Sequence, residues 1–396
     1  MKRKLLILSL LVVAIVSCKK LLPQPAAEED LLDGPVEGLS YEQNARFLRG
    51  DRAFNDEVFT PETGLGPLFV STSCGSCHAG DGKGHPFSTL TRFGQSDTVA
   101  NAFLRNGGPQ LQHRAIAGYL PETLPAGASF SKNLPPANTG LGFLEAVTDA
   151  VLLSLADPQD GDGDGISGRP NWIRIPYYAA VRDGSMTQGD RYIGRFGKKA
   201  FVYDLLQQTA GAYNQDMGIT STFEPVDTYT GHATDPEVSD ATIQDVVFYL
   251  QTLKAPIQRS ATDADVLAGK DLFLSLKCGS CHTPTLTTGA SPITALAGKT
   301  IHPYTDLLLH DMGPGLDDGY TEGTALTSEW RTPALWGLGL SPASQGGQYF
   351  LLHDGRAHSI SEAIEMHGGE AQSSRDRYKQ LADADRQKLL KFLQSL

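Results

Sequence analysis

Two five-residue stretches, Cys74-Gly75-Ser76-Cys77-His78 and Cys278-Gly279-Ser280-Cys281-His282, are identical and use four of the chain's five cysteines. The C-x-x-C-H spacing is the attachment signature of c-type haem. Thiols three positions apart meet the two vinyl groups on one edge of a porphyrin, and the next residue brings an imidazole to the iron. Two covalent haems and a redox function follow before any fold does. A structural zinc site would need the two cysteine pairs to converge on one metal, yet each pair carries its own histidine. A thioredoxin-like dithiol needs a βαβ setting and no adjacent histidine.

The fifth cysteine belongs to the start of the chain. Met1-Lys2-Arg3-Lys4 is basic, Leu5 to Val16 is an apolar run too short to anchor in a bilayer, and Ile15-Val16-Ser17-Cys18 resembles a lipobox. The expectation is a lipoprotein signal peptide over 1–17, lipidation of Cys18, and a flexible proline-bearing tether over 18–38. The alternative is an ordinary signal peptide with an incidental cysteine. Either exports the protein, in keeping with haem attachment outside the bacterial cytoplasm, so the expected location is the cell envelope, lipid-anchored and facing the periplasm. Membrane contact is then through the anchor alone. The formal charge of −12 excludes nucleic acid as a natural partner. An acidic surface serves solubility, or docks a basic electron donor.

Further along, Asp240 to Leu253 and Asp383 to Leu396 align without gaps. Val246/Leu389, Val247/Leu390, Leu250/Leu393 and Leu253/Leu396 recur at i, i+1, i+4 and i+7, one face of a helix. Each haem motif thus has its own closing helix. Each also has a leading one: Ser40 and Gln43 form a capping box that opens the first, and Asp265 to Leu276 leads into the second with Leu267, Leu272, Phe273 and Leu276 apolar. The expected fold is mainly α, two cytochrome c-like domains with long loops, over 39–258 and 259–396, the first enlarged by an insertion. With 42 Gly and 23 Pro, much of the chain reads as loop.

Other stretches are Gly64-Leu-Gly-Pro-Leu-Phe69, Gly140-Leu-Gly-Phe-Leu-Glu145, Asp162-Gly-Asp-Gly-Ile-Ser-Gly-Arg169, Gly194-Arg-Phe-Gly197, Pro303-Tyr-Thr-Asp-Leu-Leu-Leu-His-Asp-Met312, Arg331-Thr-Pro-Ala-Leu-Trp336 and His353-Asp-Gly-Arg356. Together, and in this order, they resemble the di-haem oxidoreductases of the bacterial cytochrome c peroxidase and MauG superfamily. The resemblance covers nearly all of the chain after the tether. It implies reduction of hydrogen peroxide at the first haem with electrons relayed from a redox donor through the second. The alternatives are MauG-like oxidation of a bound partner, or electron transfer without catalysis. A branch of this group is labelled thiol oxidoreductase; with both haems attached this chain keeps no free cysteine for such chemistry.

His78 and His282 are the proximal iron ligands by motif. For the second haem, Ser359 and Glu362 frame a short helix on which Ile360, Ala363, Ile364 and His367 share a face. His367 also stands where the resemblance places a Met or Tyr ligand, which implies a bis-histidine haem; His310, Met312 and Met366 compete. For the first haem, His85 and His113 are poorly placed, and the resemblance implies Glu145 as a distal proton-moving acid. Glu145 is otherwise a carboxylate in the first turn of a helix running to Leu155. Asp160, Asp162 and Asp164 alternate with glycine like a calcium loop, with the Ile166 carbonyl as a further ligand. Asn171 stands where an EF-hand has its bidentate Glu, so the loop is of another kind. The alternative is a solvated acidic turn. Trp172, Trp330 and Trp336 receive no role.

Overall fold

The computed structural model describes residues 26–94, 103 and 107–396, so the leader and Cys18 lie outside the described residues. Helix α1 (Tyr41–Asn55) opens on the expected capping box: the Gln43 amide donates to the Ser40 hydroxyl and the Ser40 amide to the Gln43 side chain. Between the first motif and its closing helix lie α2 (Leu141–Glu145), α3 (Asp149–Leu155) and α4 (Leu205–Met217). Helix α5 (Asp240–Thr252) closes this half. The second half holds α6 (Ala264–Ser275), α7 (Ser341–Ser344), α8 (Ile360–Glu365), α9 (Gln372–Lys379) and α10 (Asp383–Ser395). Strands of two to four residues form small antiparallel ladders, and helices carry both cores. The protein is mainly α, with long irregular connections.

The repeat is visible in how the helices cross. Helix α1 packs on α5 and α6 packs on α10, each pair meeting at a glycine of the leading helix. A Cβ on Gly50 would stand 2.1 Å from the Asp245 carbonyl oxygen and 2.6 Å from the Tyr249 Cβ. On Gly269 it would stand 2.1 Å from the Lys388 carbonyl oxygen and 2.7 Å from the Phe392 Cβ. Asp245 and Lys388, and Tyr249 and Phe392, are the pairs matched by the sequence repeat, so both halves use one crossing. Phe54 and Phe273 of the leading helices face the motif histidines His78 and His282, at ring separations of 5.9 and 6.5 Å.

The halves differ in what covers them. Helix α5 is buried nearly all round, at Ile243, Val246, Val247, Phe248, Tyr249 and Leu250, because the inserted segments pack on its outer side. Helix α10 keeps the single face expected, with Leu389, Phe392 and Leu393 buried and Leu390 half-buried. On α6 the expected stripe holds at Phe273 and Leu276, whereas Leu267 is exposed and the inward positions belong to Val266 and Gly269. Leu286, Ile293, Leu296, Ile301, Leu307 and Leu308, downstream of the second motif, join the core of the first half.

The glycine crossings set a sharp test of the architecture. Gly269→Ala is expected to lower unfolding stability by about 1–3 kcal/mol, since the added methyl meets backbone that cannot step aside. Chemical denaturation measures it, and Gly211→Ala on α4, likewise helical but with nothing within 4 Å of the added Cβ, is the clash-free control expected to keep or raise stability.

Candidate functional site

In both motifs the histidine amide donates to the carbonyl of the first cysteine at 3.0 Å, closing one tight turn that gathers two thiols and an imidazole. The four cysteines are unpaired and half-buried. Burial pushes the Cys74 and Cys278 thiols up to about 12, the reverse of the lowered pKa a reactive dithiol requires.

The imidazoles are held in one way. His78 Nδ1 lies 2.9 Å from the Pro136 carbonyl oxygen and His282 Nδ1 lies 3.0 Å from that of Tyr304. A carbonyl only accepts, so Nδ1 carries the proton and Nε2 keeps its lone pair, as iron requires. Burial lowers both pKa values to about 4, so the rings are neutral and ready to ligate. His367 repeats the device, with Nδ1 2.7 Å from the Ala363 carbonyl oxygen and a pKa lowered by burial. After burial, His367 is the largest influence holding His282 neutral, which places the two rings in one neighbourhood.

The local route to His367 differs from the expected one. Helix α8 begins at Ser359, whose hydroxyl accepts from the Glu362 amide, but the Glu362 carboxylate takes the His358 amide rather than that of Ser359. The helix ends at Glu365 before Gly368 and Gly369, so His367 lies beyond it and returns only through its bond to Ala363. Of the competing ligands, His310 faces carboxylates through both nitrogens and Met366 packs in the second core, whereas Met312 is half-buried with only its backbone beside Gly368.

Around the first motif the sequence expectation is only partly met. Glu145 ends α2, and the chain breaks before α3, so it is not a first-turn residue of the helix reaching Leu155. Its carboxylate accepts from the Leu205 amide at the start of α4 and from Gln251 Nε2, each at 2.7 Å, and burial raises its pKa. These bonds tie three helices together; none reaches the first motif. Asp216, which sequence reasoning missed, raises the pKa of both Cys74 and Cys77 and is itself raised by burial to about 6. Tyr213, one turn earlier on α4, has a buried hydroxyl without a partner and is influenced by Cys74. Lys198 bears on His78, and burial together with Lys83 and Arg331 lowers it to about 7. An unpartnered buried hydroxyl is costly alone, and the half-buried cations Lys83, Lys198 and Arg331, close enough to bear on one another, call for an anion. Both fit a large group bearing two carboxylates, which haem is, and these three residues are the ones that would hold its propionates. His113 is exposed, and the His85 ring lies tilted against Phe87 and edge-on to Phe350 with Nδ1 taken by the Phe87 amide.

The acidic loop closes on a different triad from the expected one. Asp157, Asp160 and Asp162 bring carboxylate oxygens within 4.8 Å of one another. Asp164 instead accepts the Ile166 amide in a local turn. Asp160, at φ +48°, reverses the chain so that Asp157 accepts the Gly161 and Asp162 amides. Spacing alone gave no sign of Asp157, which precedes the alternating run.

Residues 132–396 match the family described as di-haem oxidoreductase, putative peroxidase. The chain belongs to this di-haem oxidoreductase family, and haem is accordingly its cofactor. The matched span begins after the first C-x-x-C-H motif. No curated protein matches the chain. Among solved structures it is similar to the diheme peroxidase BthA from Burkholderia thailandensis E264, at 15% identity and a TM-score of 0.42, over 89% of this chain and 86% of that one. A MauG-like protein associated with microbial copper homeostasis gives 14% and 0.40 over 95% of each chain. Hydrazine synthase of Kuenenia stuttgartiensis gives 15% and 0.39, over 95% of this chain and 98% of that one. Likenesses this distant carry no argument about activity.

Proposed function

We propose that this protein is a c-type di-haem peroxidase that reduces hydrogen peroxide to water, H2O2 + 2e⁻ + 2H⁺ → 2H2O. Haem, when bound, supplies the one-electron carriers and the iron at which peroxide is reduced. Cys74 and Cys77 attach one group and Cys278 and Cys281 the other, with His78 and His282 as the fixed ligands. The observation that carries the reading is the difference between the two sites. The second has a further neutral imidazole, His367, whose Nδ1 is held by the Ala363 carbonyl and which bears electrostatically on His282. The first has Asp216, Tyr213 and Lys198 as its neighbours. Two strong ligands suit electron transfer, and a site with one strong ligand and acids at hand suits chemistry on a bound oxidant.

On this reading His367 closes the second site, the one that takes in electrons from an unidentified donor. Glu145 or Asp216 delivers protons to the departing oxygen, and the buried setting of both raises their pKa toward the range where a carboxylic acid can donate. Calcium in the Asp157, Asp160 and Asp162 loop is part of the proposal, as are lipidation at Cys18 and a periplasm-facing place in the cell envelope.

Three measurements test this. His367→Ala is expected to add the absorption of a high-spin haem while the protein keeps two haems by mass; an unchanged spectrum would move the ligand elsewhere. Glu145→Gln is expected to lower peroxide turnover by ~10²-fold or more with haem content and potentials little changed. Asp216→Asn is the parallel variant, and whichever carboxylate gives the loss is the proton donor. No peroxide consumption by the unmodified protein, even after pre-reduction, would leave electron transfer as its activity. Adding calcium to thoroughly chelated protein is expected to raise the melting temperature, as any ligand selective for the folded state does, and an unchanged value would make the loop a solvated turn.

A further inference from the structure

His310 is not needed as an iron ligand, yet it is among the most constrained side chains of the second half. It is 3% exposed. Its Nε2 lies 2.8 Å from Asp306 Oδ2, and its Nδ1 lies 2.7 Å from Glu370 Oε2 and 3.4 Å from Cys281 Sγ. Three of the four carboxylate oxygens also accept from other groups: Asp306 Oδ1 takes the Leu308 amide, Glu370 Oε1 the Ser167 hydroxyl and the Asp311 amide, and Glu370 Oε2 the Ser167 amide. Each ring nitrogen faces a carboxylate, the arrangement in which both nitrogens donate and the ring is held as an imidazolium.

This cation is tied into the insertion of the first half. Arg169 and Leu309 exchange backbone hydrogen bonds of 3.0 and 2.8 Å, and Arg169 pairs with Glu329 on the strand opposite His310. A Cβ on Gly168 would come within 3.0 Å of the His310 Cε1. Ser167 binds Glu370 through both its amide and its hydroxyl. The segment that follows the acidic loop therefore holds the ring against Cys281 from one side, and Asp306 holds it from the other.

We propose that His310, fixed as a cation between Asp306 and Glu370 against the Cys281 sulfur, sets the reduction potential of the second haem, and that Ser167 of the insertion tunes it through Glu370. The proposal rests on the reading of Cys278 to His282 as a haem site. The imidazolium offsets one of the two carboxylate charges and is the member of the array that touches Cys281, so its removal leaves uncompensated negative charge at the attachment edge and disfavours the ferrous iron, which holds one more electron than the ferric; the electron comes from the redox donor in the cell and from the electrode in the test. His310 acts through the haem's surroundings and is a positioning residue.

The test is spectroelectrochemistry of the two-haem protein at pH 8, with haem number checked by mass. His310→Gln is expected to lower the potential of the second haem by about 59 mV or more, a tenfold change in its ferric-to-ferrous ratio, and to leave the first unchanged. His310→Lys, which restores the charge, is expected to return most of that shift. Ser167→Ala is expected to lower the same potential by a smaller amount, and stands in should His310→Gln not fold. An unchanged second-haem potential in His310→Gln, or an equal shift in the Gln and Lys variants, overturns the role of the charge. An unchanged potential in Ser167→Ala overturns the link to the insertion. A protein without haem at Cys278 and Cys281 instead overturns the haem assignment itself, which the mass reports separately.

Discussion

The hydrogen bond from a histidine Nδ1 to a backbone carbonyl is the interaction on which this structure turns. At His78, His282 and His367 it fixes the tautomer that leaves Nε2 free, and it fixes the ring's orientation as well. The carbonyls come from Pro136, Tyr304 and Ala363, each on a segment far from a simple helix interior or at a helix end, where a carbonyl has no intrahelical partner. The irregular connections thus serve the ligands: they present unused carbonyls at the depth where an imidazole needs one.

Those connections can stay irregular because the helix pairs supply the rigidity. The crossings at Gly50 and Gly269 let backbones approach more closely than any side chain would allow, and Phe54 and Phe273 carry that packing to the motif histidines. The first half adds a second layer on the outer side of α5. Its cost is buried polarity, met by Arg195 bonding to Asp149 and to the Leu144 and Val147 carbonyls, and by Lys199 donating to three carbonyls while lying over Trp330. Trp330 in turn stacks on His353 at 3.7 Å. Several of the stretches that carry the family resemblance therefore meet in space: Gly194 to Gly197, Arg331 to Trp336 and His353 to Arg356 share this region.

The two halves are bound to each other by charge and backbone together. Arg169 ladders onto Leu309 and pairs with Glu329, Arg92 pairs with Glu322, and Glu370 gathers donors from Ser167, His310 and Asp311. Burial would raise Glu370, but His310 and Ser167 hold it down to about 2. Such an array is costly to break, since removing one member leaves a buried charge unpaired. The insertion is thereby continuous with the surroundings of the second motif, although it belongs by sequence to the first.

Much of this was legible in the residues alone. The two C-x-x-C-H turns, the helix pair around each, the cap at Ser40 and the inward face of the closing helices follow from spacing and local hydrogen bonding, which depend on neighbours within a turn or two. His367 was singled out by offset and resemblance, and the helix-face argument for it does not hold, because α8 stops short of it. What sequence could not decide is which distant groups share a buried space. Asp216 and Tyr213 at the first motif and the Asp306, His310 and Glu370 array draw partners from up to 203 positions away, and no periodicity records such meetings. Glu145 shows the same limit in reverse: its motif is plain, but only the packing of α2, α4 and α5 decides that its carboxylate closes a helix start. Local chemistry shaped the two C-x-x-C-H turns, whereas the charges that surround them were fixed by tertiary burial, which makes an unpaired ion too costly to leave and so selects its partners.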